Sequence, residues 1–350
     1  MNLTDHADSA APALMVGDGP ALSYAQLHAR SRRVAALLHE AGLRRGDGVA
    51  LLLANRPEFL EIPWGCQLSG LYYTPVNTHL TVPLPSANGS WAQAVLELAL
   101  TQRYGMSPAS VYLSPAPLYH AAGVNYAMAV HRVGATVVIM GKFDAQTVLR
   151  LIETHRVTHA QVVPTMFVRM LKLPEEVRRA YDISSLRCVL HAAAPCPVDV
   201  KYRMMDWFGP VIHEYYGGTE GFAGTTIGPR EWLAQPGSVG KPVSPVHVVG
   251  DDGSELPVGQ CGELYFEGPA VRVLQRSCQD RVGVQRPRVA HLGRHGLRGR
   301  GRIPLPDRPL DVHDCLRRGQ HLSAGGGEPV GHAPQAGRRG GIRCTQRRIR

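Results

Sequence analysis

Residues 22–42 (LSYAQLHARSRRVAALLHEAG) place Leu27, Val34, Ala35, Leu37 and Leu38 near one helical stripe between a serine cap and a closing Gly42. The pattern predicts an amphipathic helix. GVALLLAN (48–55) follows as a continuous apolar run and reads as a buried strand. PEFLEIPWGCQLSG (57–70) returns to helical spacing, and YYTPVN (72–77) reads as a second strand, which gives β-α-β order.

The same alternation resumes at Val111. VYL predicts a strand, a helix opens near His120, ATVVIM (135–140) predicts a strand, and DAQTVLRLIETH predicts a helix capped by Asp144. THAQVV (158–163), LRCVLHA (186–192) and VIHEYY (211–216) are further strands, with a helix through VDVKYRMMDWF before the last. Apolar strands alternating with helices predict an α/β fold with layered, mostly parallel sheets covered by helices, in which ligands sit at the carboxyl ends of strands. Segment 236–270 differs: its short β-rich runs, broken by PG, DDG and PVG turns, predict a small β-rich subdomain. Past Ala270 neither periodicity continues, and Gly, Arg, Pro and His dominate. The expected organisation is therefore an α/β domain over 1–235, the β-rich subdomain over 236–270 and a disordered tail over 271–350.

Composition sharpens the last boundary. Of the 350 residues, 44% are apolar, enough to build a sizeable core. Residues 271–350 hold 18 arginines, no lysine and 5 acids, a balance of +13, against −3 for residues 1–270. A chain basic only at one end has regions of different origin or different use. The start, MNLTDHADSA, lacks a basic segment followed by an apolar one, and no apolar run is long enough to cross a bilayer. The expectation is a cytoplasmic protein without a membrane span. Seven cysteines form no CxxC pair, which fits a reducing compartment, and Cys188 and Cys196 read as small buried hydrophobes.

HEYYGGTEG (213–221) sits at the end of a predicted strand. Tyr216 offers a stacking face, Gly217 and Gly218 allow close backbone approach, Thr219 offers a hydroxyl, and Glu220 offers a hard oxygen for Mg²⁺. These are the parts a nucleotide needs. The string also suits a plain strand-to-loop turn whose Thr and Glu are merely exposed.

Other segments bear on that choice. In chain order, RRGDGVALLLANRPEFLEIPWGCQLSG, YLSPAPLYHAAG, VPTMFVRMLKLP, HAAAPCP, EYYGGTEG, PGSVGKP and ELPVGQCGELYFEG resemble the adenylate-forming (AMP-binding) enzymes. The similarity is to the acyl-CoA synthetases, fatty-acid–CoA ligases in particular. The resemblance implies attack of a carboxylate on the α-phosphate of ATP, departure of pyrophosphate, and capture of the acyl-adenylate by the thiol of coenzyme A. It implies that Tyr216 stacks on adenine beside Gly217 and Gly218, that Thr219 hydrogen-bonds the α-phosphate, and that Glu220 holds Mg²⁺ between phosphates. Ala193, Ala194 and Pro195 would line the adenylate and acyl pocket, and His120 would stand at the acyl gate. His120 equally suits a hydrogen-bonded histidine at a helix start.

Two departures put activity in doubt. The family's Gly/Ser/Thr-rich phosphate loop ending in lysine, which should fall between YYTPVN and YLSPAPLYH, is missing. HLTVPLPSANGSW (79–91) stands there instead, and its glycine turn carries no lysine. An internal deletion accounts for this. Beyond Val271, reading each codon one base later lets residues 293–309 encode GDMGYVDEDGYLYLTDR and residues 316–335 encode SGGVNIYPREVENLLVTHPK. Both strings resemble the family's ribose-binding, hinge and C-terminal regions. The tail therefore reads as out of frame, without the adenylation lysine. The expectation is a degenerate or truncated, inactive or impaired ATP-dependent acyl-CoA synthetase, with a fatty acid or other carboxylic acid, ATP, Mg²⁺ and coenzyme A as its ligands. The alternative is a nucleic-acid-binding protein acting through the Arg/Gly-rich tail, which lacks interleaved aromatic residues for stacking.

Overall fold

The structure, a computed structural model, describes residues 3–76, 96–217, 224–250, 254–257, 261–267, 289–291 and 301–302. The first strands are β1 (Pro12–Val16) and β2 (Leu22–Ser23), followed by helix α1 (Tyr24–Glu40). Ser23 caps α1 reciprocally with Gln26, closing both orphan donors. Then come β3 (Gly48–Leu51), α2 (Glu58–Ser69) and β4 (Tyr72–Pro75). After residue 96 the chain forms β5 (Val111–Ser114), α3 (Ala121–Val133), β6 (Thr136–Ile139), α4 (Ala145–His155), β7 (His159–Val162), α5 (Pro164–Leu171) and α6 (Glu175–Arg179). β8 (Cys188–His191), α7 (Val198–Phe208), β9 (Ile212–Gly217), β10 (Gly224–Ile227), α8 (Pro229–Ala234) and β11 (Lys241–Pro242) complete the large layer.

Nine strands form one sheet in the order β11-β10-β9-β8-β7-β5-β6-β1-β2. The six central strands run parallel, and β2, β10 and β11 add antiparallel edges. The expected α/β architecture is present. The sequence pattern did not pick out β1, which lies parallel to β6. Side chains alternate between two cores. Tyr112, Val137 and Leu190 meet α1, α2 and α3 on one face, while Leu113, Val138, Val189 and Ile212 meet α4, α5 and α7 on the other. Each fully buried large apolar side chain contributes about 1.5–3 kcal/mol. α1 and α2 pack closely because Gly65 has no side chain; a Cβ there would lie 2.8 Å from Val34.

Two local expectations change. Leu37 is 63% exposed rather than on the buried stripe of α1, which consists of Tyr24, Leu27 and Ser31. The expected buried strand 48–55 is four residues long, and only Leu51 in it is fully buried. β3 and β4 form their own two-stranded parallel sheet. Alternate residues Val49, Leu51 and Leu53 reach the core, while Leu52 is exposed.

Within 236–270, β11 joins the large sheet, whereas β12 (Val246–Val249) and β13 (Cys261–Glu267) form a separate antiparallel pair. Two short pieces of the tail, β14 (Val289–His291) and β15 (Gly301–Arg302), pair with β13. The remainder of 271–350 lies outside the described residues. Among the described residues no helix is long and apolar enough to cross a membrane.

The cap at Asp144 supplies a stability prediction. Its Oδ1 accepts the Thr147 N–H at 2.7 Å, and this contact lowers the carboxyl pKa below the usual range. Asp144→Ala should cost about 1 kcal/mol, read as a lower denaturant midpoint.

Candidate functional site

The carboxyl ends of β8 and β9 lie side by side, with His191 opposite Glu214 in the parallel register. Each strand then delivers its expected residues. Beyond β8, Ala193 and Ala194 are exposed and Pro195 is half-buried. Ala193 has φ +72°, left-handed backbone that costs a residue with a Cβ about 1–3 kcal/mol and is typical of ligand-shaping loops. At the end of β9, Tyr216 is half-buried and Gly217 exposed. Burial raises the Tyr216 phenol pKa, so the ring stays neutral. β9 and β10 approach closely where Gly224 pairs with Gly217: a Cβ on Gly224 would fall 2.1 Å from the Tyr216 carbonyl oxygen. Gly218, Thr219 and Glu220 lie outside the described residues.

β5 delivers His120, which is exposed and caps α3 without a side-chain hydrogen bond. Its ring stacks at a tilt on Tyr119, 4.6 Å between centroids, and desolvation lowers its pKa below the usual histidine value. His120 is thus a neutral acceptor near neutral pH, at the same end of the sheet as Tyr216 and the Ala193 loop.

Between these points, on the α3 face, lies a network that the sequence pattern did not reveal. The Tyr112 hydroxyl donates to Gln161 Oε1 at 3.1 Å, and Gln161 Nε2 donates to the Tyr215 hydroxyl. The Tyr126 ring stacks on Tyr215, 5.8 Å between centroids with 24° between planes. Burial pushes the Tyr215 phenol up to about 12 and raises Tyr126 and Tyr112 as well, so all three remain protonated.

The opposite face holds charge. Lys201 of α7 is fully buried, and its Nζ lies 2.6 Å from Glu214 Oε2 and 4.6 Å from the centre of the Trp232 ring. His191 Nε2 stands 3.5 Å from the same Glu214 oxygen, and Phe167 meets the His191 ring edge-on. Burial lowers the Lys201 pKa and raises that of Glu214, while each partner opposes the shift of the other. The alternation of β9 was the available signal, because a strand that buries Ile212 and half-buries Tyr216 must turn Glu214 to the same side.

The cysteines behave as expected of packing groups. Cys66, Cys188 and Cys196 are buried free thiols, pushed up to about 11, about 12 and about 12 by desolvation. Among the described residues no three His, Cys, Asp or Glu side chains gather to hold a metal.

The AMP-binding enzyme family matches residues 4–83 and 86–272, a span that includes every element around this candidate site. The chain belongs to the AMP-binding enzyme family. Its relatives within that family include CoA ligases. A feruloyl-CoA synthase of Amycolatopsis sp is 29% identical over 327 residues, covering 72% of this chain and 66% of that protein. The chain thus spans about two thirds of the length of that curated relative. Among solved structures, the unliganded O-succinylbenzoate coenzyme A synthetase of Bacillus subtilis superposes with a TM-score of 0.76 at 21% identity, covering 88% of this chain and 80% of that one. The same enzyme in complex with ATP and magnesium ion gives 0.72 at 21% identity, covering 83% and 75%. An amide bond synthetase from Marinactinospora thermotolerans gives 0.75 at 22% identity, covering 87% and 76%. At these identities the AMP-binding enzymes share their fold with the chain.

Proposed function

We propose that this AMP-binding chain descends from an ATP-dependent carboxylate–CoA ligase and keeps the adenine side of the cleft while lacking the groups that grip the triphosphate. The adjoining ends of β8 and β9, with Ala193 in left-handed backbone and Tyr216 half-buried, carry this reading. In the ancestral reaction a carboxylate oxygen attacks the α-phosphorus and pyrophosphate leaves. The thiol of coenzyme A then attacks the acyl carbon and AMP leaves. Tyr216 would stack on adenine and Thr219 would bond the α-phosphate. Glu220 would hold Mg²⁺, which spreads the charge of the departing pyrophosphate.

Impairment follows from what surrounds those residues. The two matched stretches of the family meet at residues 83 and 86, inside the segment where the phosphate loop is missing, and the second ends at 272, where the arginine-rich tail begins. Both positions support an internal deletion and a change of frame. Fixed donors supply most of the catalysis in such a site, and loss of one alone costs roughly 10²–10³-fold.

The acid read from the sequence is a fatty acid. The half-buried Tyr215, its hydroxyl held by Gln161 and its ring stacked on Tyr126, supports a second reading, a hydroxyaryl or other aromatic acid, which such a polar aromatic surface suits better than an alkyl chain. Pyrophosphate release with ATP, fatty acids and hydroxycinnamic acids tests both points beside a chain restored at both breaks. The expected result is release at least about 10³-fold slower in the 350-residue chain, with the restored chain preferring aromatic acids. Ordinary turnover by the unrestored chain would overturn the impairment, and a preference for long alkyl acids would restore the first substrate reading.

A further inference from the structure

The buried charges on the α7 face have no part in the two-step reaction, yet they lie directly behind its nucleotide wall. Glu214 precedes Tyr216 by two residues on one face of β9, and His191 precedes Ala193 by two on β8, opposite Glu214. Lys201 joins them from α7 at 2.6 Å from Glu214 Oε2, and the Trp232 ring of α8 covers its Nζ. Three elements, β8, β9 and α7, therefore meet on one carboxylate oxygen where β8 and β9 release the two halves of the cleft, and α8 covers the ammonium that binds it.

A stability role alone does not explain this composition. Apolar side chains of similar volume fill such a space at equal or lower free energy, since both charges are desolvated. An ion pair differs from them in direction: it is satisfied in one register of β9 against α7 and strained in others, whereas apolar groups slide. We propose that Lys201 and Glu214 are positioning residues that hold Tyr216 and the Ala193–Pro195 loop in the single register that binds the adenosine moiety. The inference rests on the adenylation reading above. An error of about 1 Å in such a site costs on the order of 10²-fold.

The test uses the full chain and AMP, with affinity from calorimetry, melting temperature and amide hydrogen exchange measured in parallel. Lys201→Met/Glu214→Leu removes both charges while keeping the volume, so its melting temperature should stay within about a few degrees of the unaltered chain. Its AMP affinity should fall at least about tenfold, and amides at 192–196 and 215–217 should exchange faster while α3 keeps its protection. Glu214→Asp, which keeps the charge and withdraws it by one methylene, is the milder variant and should lose about threefold or more. Unchanged affinity and exchange in the double variant would overturn the inference, as would unchanged affinity in Glu214→Asp should the double variant not fold. Failure of the unaltered chain to bind AMP at all would overturn the adenylation reading and this inference together.

Discussion

Replacing Glu214 by glutamine, or Lys201 by methionine, should lower the folding free energy by about 3–5 kcal/mol, because each leaves one desolvated charge without its counter-charge. Lys201 is fully buried and the Glu214 side chain 5% exposed, so water cannot take over the lost contact. In Glu214→Gln the ammonium retains the Trp232 ring, a cation–π contact that recovers only part of the loss. In Lys201→Met the carboxylate retains His191 at 3.5 Å, and protonation of the carboxylate, whose pKa burial already raises, relieves the strain as pH falls. The two single variants should therefore differ in acid: the deficit of Lys201→Met should shrink on acidification, while that of Glu214→Gln should not. Urea denaturation at two pH values measures both effects. Near-additive losses in the double variant would contradict a mutual pair.

Acidification should also destabilise the unaltered chain through His131. The Trp64 indole N–H donates to His131 Nδ1 at 3.1 Å, and indole has no acceptor to offer, so Nδ1 must be unprotonated. The proton then sits on Nε2 and is donated to the Ala13 carbonyl at 3.1 Å. A second proton would set Nδ1–H against the indole N–H in a fully buried site. Burial holds the imidazole pKa down at about 4, against 6.5 in an unfolded chain. Between those values the unfolded state binds more protons than the folded one, so stability is complete above pH 6.5 and falls as pH drops towards 4. The loss is on the order of 3 kcal/mol. His213, also held at about 4 by burial and by Lys201, adds to the slope in the same direction. Denaturation of the unaltered chain and of His131→Gln across pH 4–7 checks this, with the variant expected to show the flatter profile.

Part of the candidate site was legible in the sequence because its signals are local. Tyr216, Gly217 and the Ala193–Pro195 loop follow apolar strands, and small or aromatic residues at a strand end carry meaning without knowledge of the neighbours. Lys201 reads as a polar position of an amphipathic helix, and nothing within its own segment shows that it faces Glu214, thirteen residues on. Tyr126 and Gln161 carry no local signal for a related reason. One lies in a helix and the other in an apolar strand, and their meeting at Tyr215 depends on the order of β5, β7, β8 and β9 in the sheet. Leu37 and Leu52 failed in the opposite sense, apolar by pattern and exposed in the fold.

By itself the amino-acid order determined the succession of strands and helices, the parallel α/β class and the two strand ends that make up the candidate site. Local steric preferences and the periods of 2 and 3.6 residues fix these within a dozen residues. The tertiary structure alone decided that β1 lies beside β6, that Trp64 and Ala13 settle the tautomer of His131, and that Lys201, His191 and Trp232 converge behind Tyr216. Periodicity says which face of an element is buried. Which distant residue it meets there, and with what charge, is set by the packing of whole layers.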